Sequence, residues 1–575
     1  MKNSLVAKIL QELADYTELE DDQPYRARAY RRAAQTVEAV PEPIEEIWTK
    51  KQLKELPGIG ENIEKKIIEI LSTGKLMALE NIKQRHPVDI LSFKRIEGVG
   101  PKTIRLLYEQ FKVRNLDELE AAVKSGRLGS FKGLGVKSAE ALLEKISNAR
   151  QRSNRILLVQ ALHLSNKLVE QLKEIPDVKR YVIAGSFRRR KETIGDFDVL
   201  IETEKRPASI IELFTKQDEV KEVIAAGDLK ASVILRDSFQ VDVRVVSEDS
   251  WGAALLYFTG SKEHNVALRT IAMNKGLKLN EYGLFTSDEK VIASKTEEEI
   301  YESLGMDQIE PEMREDRGEI EAASAHALPK LIEHDEVKGD LQMHTTWSDG
   351  RDAIKDMAQS AIQLKYEYIA ITDHMGSLKI ANALDEKRIE NQREEIEKLN
   401  NDYEKSGTGF RILHGAEVNI RSDGRLDVPD RVLKNFDIVF ASIHSGFSDS
   451  REKITKRIVC AMENENVDII AHPTGRLLLE RSGYSMNFPE VIEKALETET
   501  LLEMDAHPNR LDLSAENGRE YLKSGSILAL DTDSHDRSEL DYMEIGVWQA
   551  RRAWARKEDI LNTKNYKEVV KFLGN

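Results

Sequence analysis

Residues 184–200 read AGSFRRRKETIGDFDVL. A small Gly-Ser turn and a basic cluster precede two aspartates one residue apart in an apolar run. Strand side chains alternate with period two, so Asp196 and Asp198 share one face while Phe197 and Val199 point into a core. Two close carboxylates repel, and a shared divalent cation keeps both ionised. Farther on, FQVDVRVVSE (239–248) sets Val241, Val243 and Val245 on one side and Asp242 with Arg244 on the other, supplying a third carboxylate. Three acids on adjacent strands can hold two Mg²⁺. Gly185 and Ser186 would then offer amides and a hydroxyl to phosphates, and Arg188 or a neighbour would neutralise charge in the transition state. Two readings are open from these residues: a nucleotidyl-transfer site, or a structural calcium site or solvated strand edge.

The surrounding texture sets the class. KRYVIAG, FDVLIE, ASVILRD and FQVDVRVVS are β-type runs beginning near residue 155, which predicts a mixed α+β domain. WGAALLYFTGSKEHNVALRTIAMNKGLKLNEYGLF follows, helical first and then hairpin-like around Asn280 to Gly283. Upstream, KELPGIGENIEKKIIEIL (54–71), KRIEGVGPKTIRLLYEQF (94–111) and GSFKGLGVKSAEALLEKI (129–146) each place apolar-Gly-apolar-Gly before a helix of 3.6 periodicity. The glycines, Gly58, Gly60, Gly98, Gly100, Gly133 and Gly135, permit a tight turn that presents amides at a helix N-terminus, an anion site. One such turn could be a plain helix connection; three copies point to phosphate binding.

At 575 residues the chain exceeds a single core, and 40% hydrophobic content fills several. The N-terminus, MKNSLVAKILQELADY, is an amphipathic helix without signal-peptide architecture, so a cytoplasmic location is expected, with no membrane partner. One cysteine, Cys460, at helical spacing in KRIVCAMEN, excludes internal disulfides. Net charge is −16, but residues 321–575 carry −13 of it and residues 1–320 only −3. Nucleic-acid contact in the first part therefore relies on local clusters, such as Arg26, Arg28, Arg31 and Arg32, and on backbone amides. Residues 311–337 are polar and charged, flanked by prolines, and read as a linker.

Beyond residue 338 apolar runs repeatedly end in metal-type ligands: GDLQMHTTWSDG, YIAITDHMG, LHGAEVNI, VFASIHSG, DIIAHPTGR and LALDTDSHD. Strand ends bearing His, Asp or Glu several times over place those side chains around one rim of a barrel. Imidazoles and carboxylates converging there suit Zn²⁺ or Mn²⁺ and phosphodiester hydrolysis.

The three glycine turns with GSFRR, DFD, VDVR and YFTGSKEHN resemble family X DNA polymerases, repair enzymes related to vertebrate polymerase beta, over about residues 1–315. The resemblance implies Mg²⁺ or Mn²⁺ on Asp196, Asp198 and Asp242, and triphosphate contacts from Gly185, Ser186 and Arg188. It further implies a sugar-selecting turn at Tyr257, Phe258 and Gly260, and Asn265 and Arg269 near the minor groove of the nascent pair. Lys66 falls where several relatives carry a Schiff-base lysine that removes 5′-deoxyribose phosphate, although Asn62 replaces an auxiliary lysine. Residues 338–575 resemble the polymerase-and-histidinol-phosphatase (PHP) domain, a distorted (β/α)₇ barrel with a metal cluster. Matching ligands are His344, Asp349, His374, Glu417, His444, His472, Asp533 and His535. The first motif usually reads His-x-His; here Gln342 takes the first place, leaving one metal with fewer protein groups. His507 has no assigned place, and His414 is expected to pack or cap.

The expected partition is an all-α helix-hairpin-helix region (1–85, lyase-like, and 86–152, fingers-like), an α+β nucleotidyltransferase palm (153–258), a thumb (259–315), a linker (316–337) and the barrel (338–575). The implied activity is template-directed filling of short gaps in DNA from deoxynucleoside triphosphates during base excision repair. The barrel is expected to act as a metal-dependent 3′→5′ exonuclease, and abasic-site cleavage is raised as well. Two alternatives are an idle barrel that positions DNA and a phosphatase for small phosphoesters. No obligate protein partner is expected.

Overall fold

A computed structural model describes residues 2–20, 24–40, 43–94, 96, 99–128, 142, 143, 145, 146, 155–203, 205–378 and 381–574. The chain forms two compact units, one of residues 1–154 with 345–353 and 377–385, the other of 155–344, 354–376 and 386–575.

The described residues of the first unit up to 128 are helices joined by turns. Ile63, Ile67 and Ile70 recur at i, i+4 and i+7 and bury one face of helix Glu61–Thr73 in a core with Leu10, Leu13, Phe93, Ile104 and Leu107. Gly60 caps that helix and Gly100 caps Pro101–Phe111, with buried Ile59 and Val99 anchoring the two turns. Gly58 lies in the first turn; Gly98, Gly133 and Gly135 lie outside the described residues.

In the second unit, strands β1 (Ile156–Leu157) and β3 (Thr193–Ile194) make a short antiparallel pair. The palm sheet comprises β2 (Arg180–Ile183), β4 (Asp196–Glu202), β5 (Val220–Ala226), β6 (Lys230–Leu235) and β7 (Gln240–Val246), in the order β2-β4-β7-β6-β5. Only β4 and β7 run parallel. Their inward residues Phe197, Val199, Val241 and Val243 join Leu168, Leu172, Ile210 and Phe214 of the covering helices in one core. The thumb carries a three-stranded antiparallel sheet, β8 (Leu277–Asn280), β9 (Gly283–Thr286) and β10 (Val291–Ala293), with the expected hairpin pairing Asn280 to Gly283.

The stretch 316–337, expected as a linker, packs instead. Ile320, Ala323 and Leu331 enter the thumb core, and Glu319 is wholly buried. Its charge is satisfied there by the backbone N–H groups of Asp316 and Arg317 and by His264, which composition alone does not reveal.

Strands β11 (Gly339–Asp340), β12 (Tyr368–Ile371), β13 (Arg411–Asn419), β14 (Ile438–Ser442), β15 (Ile469–Ile470), β16 (Leu501–Asp505) and β17 (Leu528–Asp531) run parallel in chain order. A bridge between Met343 and Ser534, with the His344 amide donating to the Ser534 carbonyl at 2.7 Å, brings the first and last strands together into a nearly closed barrel. Leu511 and Ile545 from this domain are part of the palm's core. No helix among the described residues is long and apolar enough to cross a membrane.

Candidate active sites

In the palm, parallel pairing of β4 with β7 sets Asp198 opposite Asp242, and Asp196 lies two residues along the same face. Ser232 donates to Asp242 Oδ1, and Gln240 Nε2 donates to Asp242 Oδ2 at 3.1 Å, which fixes that carboxylate. Burial, followed by the charges of Asp196 and Asp242, pushes Asp198 up to about 7; Arg189 and Arg244 offset this only in part. Burial and Asp242 raise Asp196 in the same direction. Carboxylates that take up protons when left alone are a hard-oxygen donor set short of positive charge, which suits Mg²⁺ or Mn²⁺.

Gly185 opens the short helix Gly185–Arg188 at φ +58°, and a Cβ there would stand 2.3 Å from Asp198 Oδ2. Only glycine lets the backbone come so close to the carboxylate. Ser186 follows it in the same turn. Arg188 is held in a two-pronged pair with Glu297, at 2.8 and 2.7 Å, and donates to Thr259 Oγ1 at 2.7 Å. Its neighbour Arg189 donates to the Thr259 carbonyl and to Glu315 Oε1 at 3.2 Å. Although burial opposes it, the Arg314 and Arg188 guanidiniums hold Glu297 down to about 2.

Tyr257, Phe258 and Gly260 lie at the end of helix Trp251–Thr259, the two rings edge to face at 5.1 Å. Asn265 Nδ2 donates to the Tyr257 carbonyl at 2.7 Å, and Arg269, one turn on, donates to the Asn265 carbonyl at 3.3 Å. In the first unit, Lys66 lies on helix Glu61–Thr73 with its Nζ 6.0 Å from the centre of the Tyr30 ring, whereas Lys65 pairs with Glu61 at 2.9 Å.

In the barrel, Glu417 on β13 is ringed by imidazoles. Its Oε2 lies 3.3 Å from both His344 Nε2 and His374 Nδ1, and its Oε1 lies 3.3 Å from His444 Nε2 and 3.2 Å from His472 Nε2. Asp533 Oδ1 is 3.0 Å from His344 Nε2. The ligand atoms of His374, Glu417 and His444, those of His344, Glu417 and Asp533, and those of His344, His374 and His535 each fall within 4.8 Å of one another. Burial would raise Glu417 and Asp533, yet the surrounding imidazoles hold both well below the usual carboxylate range.

Second contacts aim the rings. His444 Nδ1 lies 2.6 Å from Asn419 Oδ1, and His535 Nδ1 lies 2.8 Å from the Asp533 carbonyl. Each acceptor places the proton on Nδ1 and leaves the Nε2 lone pair for the cluster. His472 and Asp533 adopt positive φ, +31° and +48°, a strained backbone for non-glycine residues that is typical of functional positions. Buried imidazoles and carboxylates at this spacing suit Mn²⁺ or Zn²⁺. Gln342 donates from Nε2 to Glu417 Oε2 at 3.4 Å, so it meets the cluster as a hydrogen-bond donor. Asp349 lies in the segment 345–353, where Ser348 donates to its Oδ1 at 3.1 Å.

His507 packs edge-on against Tyr542 at 5.6 Å. His414 is buried against Phe436 with Nε2 3.1 Å from Gln392 Oε1, and burial drives it down to about 3. The sequence reading missed Asn419, Arg510 and Glu503. Asn419 was within reach, two residues after Glu417 on the same strand face. Arg510, whose Nε lies 3.7 Å from Asp533 Oδ2, and Glu503, which accepts from the His472 amide, carry no local signal.

Family models match along the chain: a helix-hairpin-helix domain at 1–76, a SAM-like helix-hairpin-helix tandem at 90–148, the DNA polymerase beta palm at 159–266, the DNA polymerase beta thumb at 254–315 and the PHP domain at 340–503. The chain is 38% identical over 571 residues to the DNA polymerase/3′-5′ exonuclease PolX of Bacillus subtilis (strain 168), covering 99% of this chain and 98% of that one. It is 25% identical over 342 residues to DNA polymerase lambda of Rattus norvegicus, covering 54% and 56%. With DNA polymerase lambda of Arabidopsis thaliana it shares 28% over 327 residues, 50% and 58%.

Proposed function

The chain belongs to the family X DNA polymerases that carry a C-terminal PHP domain, and from that premise we propose that it fills short gaps in DNA and trims 3′ ends, with one centre for each reaction. The observation that carries this reading is the presence in one unit of two unlike centres. One is three carboxylates beside a glycine turn; the other is a carboxylate ringed by four imidazoles.

In the palm, Asp196, Asp198 and Asp242 would hold Mg²⁺ or Mn²⁺, which supplies Lewis acidity to phosphoryl transfer. The Gly185 and Ser186 turn orients the triphosphate. Glu297 holds Arg188 in place at the turn and offsets its charge, and Arg189 stands beside it. Tyr257, Phe258 and Gly260 shape the sugar pocket, and Asn265 and Arg269 face the minor groove of the new pair. The turns at Gly58, Gly60 and Gly100, with Gly98, Gly133 and Gly135, grip the duplex backbone without reading bases.

In the barrel, His344, His374, Glu417, His444, His472, Asp533 and His535 would hold Mn²⁺ or Zn²⁺, which supplies Lewis acidity for phosphodiester hydrolysis. Asn419 keeps the His444 lone pair aimed inward. Abasic-site cleavage by the same centre and release of 5′-deoxyribose phosphate through Lys66 extend the reading to base excision repair.

A labelled primer on a short-gapped duplex with Mn²⁺ tests the division of labour. The wild-type chain should lengthen the primer with deoxynucleotides and shorten it stepwise without them. Asp242→Ala should abolish lengthening and keep shortening, and His344→Ala should do the reverse. Loss of both activities in either folded variant would refute separate centres. Lengthening without shortening by the wild-type chain would leave the barrel as a scaffold, and hydrolysis of a small phosphorylated alcohol but not of DNA would make it a phosphatase.

A further inference from the structure

The stretch that follows the Gly185–Arg188 turn is gripped from the barrel domain. Helix Met543–Arg552 meets it: Arg552 Nη1 donates to the Arg189 carbonyl at 2.7 Å, and Gln549 Nε2 donates to the Arg190 carbonyl at 2.9 Å. The Arg190 guanidinium lies 3.9 Å from the centre of the Trp548 ring. Glu315 gathers Arg189 at 3.2 Å, Arg552 at 3.3 Å and Lys191 at 3.6 Å. Arg476 closes the far end on Glu192 at 2.6 Å.

Gln549 and Arg552 are buried, and their partners are main-chain carbonyls. They therefore fix the path of the backbone itself, beyond packing side chains against it. That path needs fixing, because Arg190 sits at φ +53°, a region that non-glycine residues hold only when their surroundings impose it. The carbonyls gripped belong to the residues directly after the turn that stands against Asp198.

We propose that Trp548, Gln549 and Arg552 are positioning residues for nucleotidyl transfer. They hold the segment 189–190 and thereby the Gly185–Arg188 turn, so that nucleotide affinity in the palm depends on a helix of the hydrolytic domain. This rests on the reading of that turn as the triphosphate site. Neither Gln549 nor Arg552 is among the barrel's candidate ligands, so hydrolysis has no call on their side chains.

The experiment uses the full chain and measures KM and kcat for incorporation on a gapped duplex, together with the rate of shortening without nucleotides. Loss of a buried charge-assisted hydrogen bond predicts a rise in nucleotide KM of about tenfold for Arg552→Ala and a smaller rise for Gln549→Met. In both, kcat and the shortening rate stay within about twofold, as expected when uniform binding is lost. Arg552→Lys, which keeps a cationic donor, recovers part of the KM. Trp548→Phe, which keeps a ring under Arg190, stays near wild type if Trp548→Ala does not fold. An unchanged KM in Arg552→Ala and Gln549→Met of wild-type melting temperature overturns the proposal, as does a joint fall of kcat and shortening. Ser186→Ala separates the premise from the inference. If it leaves KM unchanged, the triphosphate reading fails and the proposal with it; if it raises KM where Arg552→Ala does not, the reading stands and the coupling alone falls.

Discussion

Asp198, one of the palm's three proposed cation ligands, carries a strongly shifted carboxyl group. Its ordinary value lies near ~3.9, and burial beside Asp196 and Asp242 lifts it to about 7. A cation binding there displaces that proton, so Mg²⁺ affinity should rise with pH through about 7 and then level. Calorimetric titration of Mg²⁺ in two buffers of different ionisation enthalpy should show proton release at pH 6.5 that fades by pH 8.5 and is lost in Asp198→Asn. Equal release at both pH values would contradict the assignment. The same shift sets the sign for the metal-free palm. A folded value above the unfolded one stabilises fully below about 4, and this contribution is lost as pH rises through 7. The aspartates were legible because a strand's period of two is a local rule, and because Val241, Val243 and Val245 mark which face is core. The state of Arg188 was not legible, because Glu297 lies 109 residues away and no local pattern pairs them.

At the scale of elements, the misread linker shows where composition misleads. Residues 311–337 look solvated because they are charged, yet Arg314 and Glu319 are wholly buried. Arg314 Nη1 pairs with Glu297 at 2.5 Å, and His264 bridges Glu319 at 2.8 Å to the Tyr301 hydroxyl at 2.9 Å. A charge is stable inside a core when its partner arrives from another element, and that pairing is invisible in one segment read alone. The hairpin at Asn280 to Gly283 and the helices after Gly60 and Gly100 were legible because turn residues and apolar periodicity act within a few residues. Arg314→Met tests the buried pair. It leaves Glu297 to Arg188 alone and should cost about 3–5 kcal/mol in urea unfolding, the usual penalty for removing one member of a buried ion pair. Arg114→Met should stay within about 0.5 kcal/mol, since Arg114 and Glu118 pair on an exposed face. Comparable losses in the two variants would mean that the buried pair is worth no more than a surface one.

Across the whole molecule, the strand-end histidines announced the barrel, and the repeated glycine turns announced the helical region, because each is a recurrence along the chain. What recurrence does not disclose is which domains fold as one. Leu511 and Ile545 of the barrel domain enter the palm's core, and Trp548 and Tyr542 pack against it, so palm, thumb and most of the barrel fall in a single compact unit, while residues 1–154 form another together with 345–353 and 377–385. Scanning calorimetry of the full chain should therefore resolve two transitions, with palm and barrel melting together. Ions held by the barrel ligands bind only the folded state, so Mn²⁺ at a hundredfold its Kd should stabilise the larger unit by about 2.7 kcal/mol. That gain should reach palm as well as barrel. The Trp548 fluorescence of a variant in which the other four tryptophans are replaced by phenylalanine should report the shift, because its ring lies against Arg190 of the palm. His344→Ala should reduce the Mn²⁺ shift to the part that the palm carboxylates supply and leave the transition of residues 1–154 where it was. A palm that melts separately from the barrel, or a Mn²⁺ shift confined to a third transition, would mean that the shared core does not couple the two catalytic domains.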